Sequence, residues 1–204
     1  MNEEFLKDLA AKKPIPGGGG VAALLGALTN ALGSMVCNYT IGKKKFLEYD
    51  EENTEFLNKF NENILRFEEY IKKDAEVFYP LSQAYSLPKD FNEDGKTKQD
   101  ILNPLLKNAA IVPLEVMELC KDMLDMLAKL LHQSSSIVIS DVGVAASCAR
   151  ACIESASLNV YINTKCISDE EEKEKLEKRA NDVLEKYLDI SDRIFEEVKN
   201  SLKK

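Results

Sequence analysis

The sequence predicts an all-α fold, an up-and-down bundle of about six helices in which two uncharged helices lie inside amphipathic ones. Two observations support this prediction. Apolar residues recur at spacings of three and four along most of the 204-residue chain, which is the period of a helix with one buried face. Val, Ile and Thr nowhere alternate with polar residues long enough to predict a half-buried strand.

The first half of the chain predicts three helices. A short amphipathic helix is expected over residues 3–12, and two prolines and four glycines within residues 14–20 then interrupt it. The second helix, over residues 21–41, carries no charge and is long enough to span a bilayer, but its Asn, Ser and Thr side chains favour a buried helix of a soluble bundle. The third helix, over residues 51–85, carries one stripe made of Phe60, Ile64, Phe67, Ile71, Asp74 and Phe78.

The second half predicts three more helices after a polar loop over residues 88–95. The fourth helix is expected over residues 97–131, with Pro104 and Pro113 as candidate breaks, and a turn follows over residues 132–136. The fifth, over residues 140–163, is mostly uncharged and is expected to be buried. The sixth begins after Ser168 with a charged outer face. One hydrophobic core serves a chain of this length, so a single domain over residues 1–204 is expected.

Composition excludes several classes of partner. The net charge of -8 repels polyphosphate, so no nucleic-acid partner is expected. The five cysteines suggest no disulfide framework, and the charged first thirteen residues do not resemble a secretory signal, so the expected location is the cytoplasm and not a membrane. A zinc site would need two ligands besides Cys148 and Cys152, whose spacing better fits small buried side chains. No metal or other cofactor is therefore expected.

Asp74 is the most informative single residue, because it is a carboxylate within an apolar stripe. A buried carboxylate is unfavourable unless it is paired or has a chemical role. In one interpretation burial raises its pKa towards neutrality and makes it a proton acceptor and donor. In the other it forms a salt bridge to Lys72, Lys73 or another helix. The sequence alone leaves both interpretations open.

Three further groups of polar or glycine residues each have a functional and a structural interpretation. The glycines at residues 17–20 precede a helix and either present N–H groups to a ligand or form a flexible turn. Side chains on roughly one face of the fifth helix either line a ligand site or form a hydrogen-bond ladder between helices: Asp141, Cys148, Cys152, Ser155, Asn159 and Asn163. Lys43 and Lys44 either bind a carboxylate or are a solvated helix end. His132, the only histidine, is expected to be a turn residue.

Several segments together resemble the formiminotransferase-cyclodeaminase family. Residues 14–23 are similar to the family's Pro-x-Pro-Gly-Gly-Gly-Ser-Val-Ala-Ala opening, and the other similar segments follow in the family's order: Gly42-Lys43-Lys44-Lys45-Phe46, Asp74-Ala75-Glu76-Val77-Phe78, Leu87-Pro88-Lys89, Ser140-Asp141-Val142-Gly143-Val144-Ala145-Ala146 and Asn159-Val160-Tyr161-Ile162-Asn163. The match covers most of the chain. Gly20 stands where the family commonly has Ser, and Ser134-Ser135-Ser136 stands where a Gly-Asn turn is common.

The resemblance implies an all-α dimer that binds folate near its subunit interface and needs no cofactor. Asp74 corresponds to the family's catalytic aspartate. The implied substrate-binding residues are Gly17, Gly18, Gly19, Gly20, Lys43, Lys44, Asp141, Asn159 and Asn163. Lys43 and Lys44 are expected to meet the glutamate tail of folate, and the others to surround the pterin and the bridging carbon.

The expected activity is that of a methenyltetrahydrofolate cyclohydrolase, because the sequence contains no formiminotransferase segment. A formiminotetrahydrofolate cyclodeaminase is the alternative, and a folate-binding protein without activity is the second alternative.

Overall fold

The computed structural model describes residues 3–203, and within them it confirms the predicted all-α bundle of six helices. Two 3-10 turns, Lys44–Tyr49 and Ser136–Val138, lie between helices, and a two-stranded hairpin joins β1 (Asn92–Glu93) to β2 (Lys96–Thr97). The helices are α1 Glu3–Leu9, α2 Gly18–Asn38, α3 Asp50–Tyr85, α4 Lys98–Gln133, α5 Ile139–Thr164 and α6 Glu170–Leu202.

The hairpin occupies the predicted polar loop between α3 and α4. Its strands pair antiparallel, and its two central residues, Asp94 and Gly95, have φ angles of 51° and 76°. Positive φ at both positions is what a two-residue hairpin turn requires. Thr97 then begins α4 with a capping box, in which its side chain accepts from the Asp100 N–H while the Asp100 side chain accepts from the Thr97 N–H.

Three prolines lie inside continuous helices, and two of them were expected as breaks. Pro80 lies within α3, and the expected breaks Pro104 and Pro113 lie within α4. A fully buried leucine follows each proline within two residues: Leu81, Leu106 and Leu114. The burial of these apolar faces stabilises the helix by more than the lost hydrogen bond destabilises it.

Helix α2 lies in the middle of the bundle, in contact with α3 on one side and α5 on the other. Its glycines allow this close packing. A Cβ atom at Gly33 would lie 2.6 Å from Cζ of Phe60, and one at Gly26 would overlap the ring of Phe67. The Ala- and Gly-rich composition of α2 is therefore explained by the large aromatic rings that α3 presents to it.

Helices α2 and α5 are each buried on one side and exposed on the other. By length and apolar composition Gly18–Asn38 and Ser136–Thr164 would qualify as membrane spans, although a core helix of a soluble protein qualifies equally. About half of each apolar window is buried within the bundle, 56% and 44% respectively. The outer sides carry large exposed apolar side chains, including Leu28, Val144, Leu158 and Ile162.

Candidate active site

A cavity of about 260 Å³ lies where the N-terminus of α2 meets α3 and the C-terminal part of α5. It contains one carboxylate and two carboxamides among otherwise apolar or glycine residues. Its lining is Pro14, Ile15, Gly17, Gly18, Gly19, Asp74, Phe78, Tyr85, Ala109, Asn159, Ile162 and Asn163. Six of the ten site residues predicted from the sequence therefore lie together.

The glycine run forms the start of α2 and is not the break that the sequence predicted. Gly17 is the N-cap, and the helix begins at Gly18. A Cβ atom at Gly19 would overlap the carboxylate of Asp74, and one at Gly18 would lie 3.2 Å from Nδ2 of Asn159. The first helical turn thus has no side chains because α3 and α5 bring polar groups against its backbone.

Asp74 is half-buried against the glycines at the start of α2, which we call the glycine cradle. Its carboxylate accepts a hydrogen bond from the Gly20 backbone N–H. Burial raises the pKa of the Asp74 carboxyl above 3.8, and the Gly20 hydrogen bond opposes that rise in part. The neighbouring Lys73 is bonded instead to Glu115, at 2.6 Å. These contacts favour the interpretation of Asp74 as a proton acceptor over that of a salt-bridge partner.

Asn159 and Asn163 lie one turn apart on α5 and face the cavity. The Asn159 Nδ2 donates to the Ser155 carbonyl at 2.8 Å, and the Asn163 Nδ2 donates to the carbonyls of Ala109 and Asn159. Both N–H groups of the Asn163 amide are thus bonded to backbone carbonyls, whereas the Asn159 amide uses one of its two N–H groups in this way. The carboxamide oxygens of both side chains can accept hydrogen bonds from N–H donors of a ligand, and Asn159 can also donate one.

Gly20 lies beside the cavity and contributes only its backbone N–H. A Cβ atom at Gly20 would meet Phe5 of α1 and Pro16, each at 3.7 Å, which is ordinary van der Waals contact. The serine that is common at this position in the family would therefore have room for its Cβ. The departure at Gly20 leaves the cradle around Asp74 intact.

The remaining predicted residues, Lys43, Lys44 and Asp141, lie at the opposite end of the bundle. Gly18 and Asn38 are separated by the length of α2, about 30 Å, and Asp141 is about 27 Å from Asn159 along α5. Within one chain the structure does not bring these three residues to the cavity. Their shared position follows from the antiparallel packing of α2 and α5, which places the end of one helix beside the start of the other.

The serine segment belongs to that distant end too. The Lys43 Nζ donates to Oγ of Ser135 at 2.8 Å, and the Ser135 N–H donates to Oγ1 of Thr40 at 3.1 Å. Ser135 therefore fixes the connection after α4 against the end of α2. The departure of Ser134-Ser135-Ser136 from the family pattern lies away from Asp74.

Sequence reasoning missed the aromatic lining of the cavity. Phe78 and Tyr85 follow Asp74 on α3 by four and eleven residues, which places all three on one helix face. That spacing was visible in the sequence and would have identified them. His132, by contrast, lies in the last turn of α4 and is exposed, with Nδ1 at 3.6 Å from the carboxylate of Glu197.

No metal-binding cluster accompanies the cavity. Within residues 3–203 no group of three or more His, Cys, Asp or Glu side chains is placed to hold a metal ion. Cys152 instead lies against Cys120 of α4, with the two sulfur atoms 3.3 Å apart in the core. The side-chain oxygen atoms of the residues that line the cavity belong to one carboxylate, two carboxamides and the phenol of Tyr85.

The chain belongs to the formiminotransferase-cyclodeaminase family, whose sequence model matches residues 1–182. This match confirms the resemblance that the motifs indicated. A methenyltetrahydrofolate cyclohydrolase of Methylorubrum extorquens is 38% identical over 98% of this chain and 96% of its own length.

Two further proteins are similar to this chain, one in sequence and one in both sequence and structure. The formimidoyltransferase-cyclodeaminase of Mus musculus is 31% identical over 89% of this chain, which spans only 34% of that longer protein. The crystal structure of formiminotetrahydrofolate cyclodeaminase from Thermotoga maritima superposes with a TM-score of 0.81 and 31% identity, covering all of this chain and 96% of that one.

Proposed function

We propose that this chain is a methenyltetrahydrofolate cyclohydrolase, which hydrolyses 5,10-methenyltetrahydrofolate to 10-formyltetrahydrofolate. The observation that carries the proposal is the carboxylate of Asp74, held against the glycine start of α2 inside a cavity lined by two carboxamides. The full-length similarity to a cyclohydrolase of Methylorubrum extorquens supports the choice of reaction.

The proposed reaction needs one group that accepts and then returns a proton. Water adds to the cationic carbon that bridges nitrogens 5 and 10, and Asp74 accepts the proton that the water loses. Asp74 then returns this proton to nitrogen 5 as the carbon–nitrogen bond breaks. The hydroxyl of the intermediate loses its own proton to solvent as the carbonyl forms, which leaves the neutral formyl group on nitrogen 10. A carboxyl whose pKa is raised by burial suits both halves of this cycle.

The surroundings of Asp74 also suit a cationic substrate. The ionised carboxylate lies beside the positively charged carbon and stabilises it electrostatically, more strongly in a half-buried site than in water. The N-terminus of α2 and the Gly20 N–H keep part of the charge on the carboxylate when no substrate is bound. The carboxamide oxygens of Asn159 and Asn163 then accept from the N–H groups of the pterin.

We infer that the functional unit is a homodimer formed through the exposed apolar sides of α2 and α5. Leu158 and Ile162 are 69% and 61% exposed on α5, and Ile162 also lines the cavity. A further apolar groove of about 440 Å³ follows the same side of α5 and the end of α6, lined by residues such as Val144 and Phe195. Apolar exposure on this scale is typical of a surface that a second subunit covers.

A dimer also gives the distant residues a role. Because α2 and α5 run the length of the bundle, an antiparallel second copy would bring its Lys43, Lys44 and Asp141 towards the cavity of the first. Lys43 and Lys44 of the partner subunit would then bind the glutamate tail of folate. If Lys43→Ala with Lys44→Ala leaves the KM for a polyglutamylated substrate unchanged, this assignment is wrong.

The remaining features of the proposal concern where the enzyme works and what it needs. We propose a cytoplasmic, soluble enzyme that requires neither metal nor redox cofactor and that binds neither nucleic acid nor membranes. The net charge of -8 repels polyphosphate, which supports the proposal that the enzyme binds no nucleic acid. Hydrolysis of a cationic amidine needs only proton transfer, which supports the proposal that the enzyme requires neither a metal nor a redox cofactor.

Cyclodeaminase activity is the second candidate, favoured by the similarity to the Thermotoga maritima cyclodeaminase. In that reaction nitrogen 10 attacks the formimino carbon and ammonia leaves, so Asp74 would carry the proton from nitrogen 10 to the departing ammonia. The same cavity serves both reactions. The third candidate, a folate-binding protein without activity, predicts binding with no turnover.

Stopped-flow absorbance distinguishes these candidates. Purified protein is mixed at neutral pH with methenyltetrahydrofolate and, separately, with 5-formiminotetrahydrofolate. Rapid loss of the methenyl band supports the cyclohydrolase, and appearance of that band with release of ammonia supports the cyclodeaminase. Asp74→Asn is expected to lower the rate by about 10²–10⁴-fold, whereas Asp182→Asn on the exposed face of α6 should leave it unchanged. An active Asp74→Asn enzyme would refute the assigned role.

A further inference from the structure

Helix α3 presents a row of three side chains to the cavity, of which the proposed reaction uses only the first. Phe78 and Tyr85 lie four and eleven residues beyond Asp74, so their positions around the helix differ from that of Asp74 by no more than about 40°. Along the helix axis they lie about 6 Å and about 16 Å from Asp74. The row therefore leads from the carboxylate to the outer end of the cavity.

Tyr85 is held in place from both sides. The Lys98 Nζ donates to the carbonyl of Tyr85 at 2.7 Å and to that of Leu87 at 2.6 Å, which fixes the end of α3. The Tyr85 hydroxyl lies against the side chain of Cys166, and partial burial, followed by this contact, raises the pKa of Tyr85. The ring is nevertheless 44% exposed, so one part of it is open to a ligand.

The lining of the cavity has two chemically different kinds of side chain. Asp74 and the two carboxamides match a ring system rich in nitrogen atoms. The others are aromatic or aliphatic, with Phe78 and Tyr85 on α3 and Ile162 on α5, of which Tyr85 and Ile162 are 44% and 61% exposed. At about 260 Å³ the cavity is smaller than the pockets of about 300–1,000 Å³ that enclose drug-sized ligands, so part of a bound folate would extend beyond it.

We propose that Phe78 and Tyr85 form an aryl-binding wall for the aminobenzoyl ring of the substrate, and that Tyr85 determines specificity for that ring. The inference rests on the proposed function. The aminobenzoyl ring is attached to nitrogen 10 and is thus the next group after the reacting carbon. Phe78, one turn from Asp74, meets the near side of this ring, and Tyr85 meets its far side, where the amide to glutamate begins.

The wall acts by uniform binding and not by chemistry. Tyr85 lies too far from the reacting carbon to contact it, so its ring stabilises the bound substrate and the transition state equally. Loss of such a contact raises KM and leaves kcat unchanged. Lys98 fixes the backbone of Tyr85 and Cys166 lies against the Tyr85 hydroxyl, so little side-chain freedom is lost when the substrate binds.

The test uses three variants of the full chain. Tyr85→Leu removes the ring and is expected to raise the KM for methenyltetrahydrofolate on the order of tenfold, with kcat unchanged. Tyr85→Phe keeps the ring and should restore the wild-type KM. Tyr79→Leu is the matched control, because Tyr79 is an exposed tyrosine on α3 outside the cavity lining. An unchanged KM in an active Tyr85→Leu enzyme would overturn the proposal.

A substrate analogue separates binding of the ring from a structural effect. An N10-alkyl methenyltetrahydropterin lacks the aminobenzoylglutamate, so wild type and Tyr85→Leu should process it with equal KM. An equal rise of KM for both compounds in Tyr85→Leu would mean that the side chain supports the fold alone, and the proposal would be wrong. A wild-type protein that neither binds nor converts any folate would refute the proposed function itself.

Discussion

At the scale of the residue, two opposing effects set the chemistry of Asp74. Partial burial raises the pKa of its carboxyl, while the Gly20 N–H stabilises the ionised form. Burial is the larger effect, so the carboxyl keeps a higher proton affinity than a solvated aspartate. This balance yields a base that binds a proton more readily than a solvated aspartate does and whose ionised form is still stabilised by a hydrogen bond.

The pH profile of the reaction should report this balance. The proposed hydrolysis requires the ionised Asp74, so kcat/KM is expected to fall as pH decreases through the pKa of this carboxyl. Because that pKa is raised from 3.8, the fall should begin at higher pH than for an ordinary aspartate. The measurement is initial rate against pH at limiting substrate. A profile that stays flat down to the ordinary range of an aspartate would contradict the role of Asp74.

Asp74 should also lower stability at neutral pH. A carboxyl whose folded pKa exceeds its unfolded pKa destabilises the folded state once pH rises through both values, because the folded state then holds a charge that it disfavours. Asp74→Asn is therefore expected to melt at a higher temperature than wild type at pH 7, with the difference shrinking in acid. Thermal unfolding followed by circular dichroism tests this. A lower melting temperature at pH 7 would show that the carboxylate stabilises the fold.

At the scale of the element, the start of α2 is defined by what packs on it. A helix that begins with three glycines is intrinsically unfavourable, yet α2 begins at Gly18. The contacts of Asp74 and Asn159 with this turn require that side chains be absent. The glycines therefore destabilise the start of α2, and they are needed there because they leave room for polar side chains of the cavity. Such a local cost in stability is common at functional sites.

Alanine substitutions within the glycine run should separate two roles. Gly19→Ala places a methyl group on the Asp74 carboxylate and should lower kcat on the order of 100-fold, because the base is displaced. Gly17→Ala adds the same methyl group where no protein atom lies within 4 Å and φ is −131°, so it should lower kcat less than Gly19→Ala does. Both rates are measured on methenyltetrahydrofolate. Equal activity of the two variants would contradict the close contact.

At the scale of the whole molecule, the exposed apolar sides of α2 and α5 predict a dimer. Leu158→Glu places a charge on this surface and should yield a monomer in sedimentation experiments, because an unpaired charge opposes burial. Leu65→Glu is the matched control, as Leu65 is 62% exposed on α3 and Leu158 is 69% exposed on α5. A monomeric wild type, or a dimer that survives Leu158→Glu, would refute this interface.

A mixture of two impaired variants tests whether each active site combines two chains. Asp74→Asn and the Lys43→Ala, Lys44→Ala double variant are each expected to be impaired with polyglutamylated substrate. If the lysines act across the interface, a re-equilibrated mixture should recover about a quarter of wild-type activity, since mixed dimers hold one intact site. If all the residues act within one chain, every site of a mixed dimer is defective. The mixture would then show no gain.

The sequence alone determined the properties that depend on neighbours along the chain. The period of apolar residues predicted the all-α class and located α3 to α5 and the start of α6 within about two residues of the observed bounds. The same period identified Asp74, because a carboxylate in an apolar stripe stands out at that level. The motifs identified the family. A single domain over residues 1–204 stays a prediction.

The tertiary structure decided which helix ends meet. Because α2 and α5 pack antiparallel, Gly18 lies against Asn159, and both residues lie far from Lys43. Tertiary contacts also turned the glycine run into a helix start and kept Pro80 inside α3. Local propensity predicts a break at each of these places. Contacts between residues far apart in sequence overrode that propensity, because burial against a neighbouring helix stabilises more than a glycine or a proline destabilises.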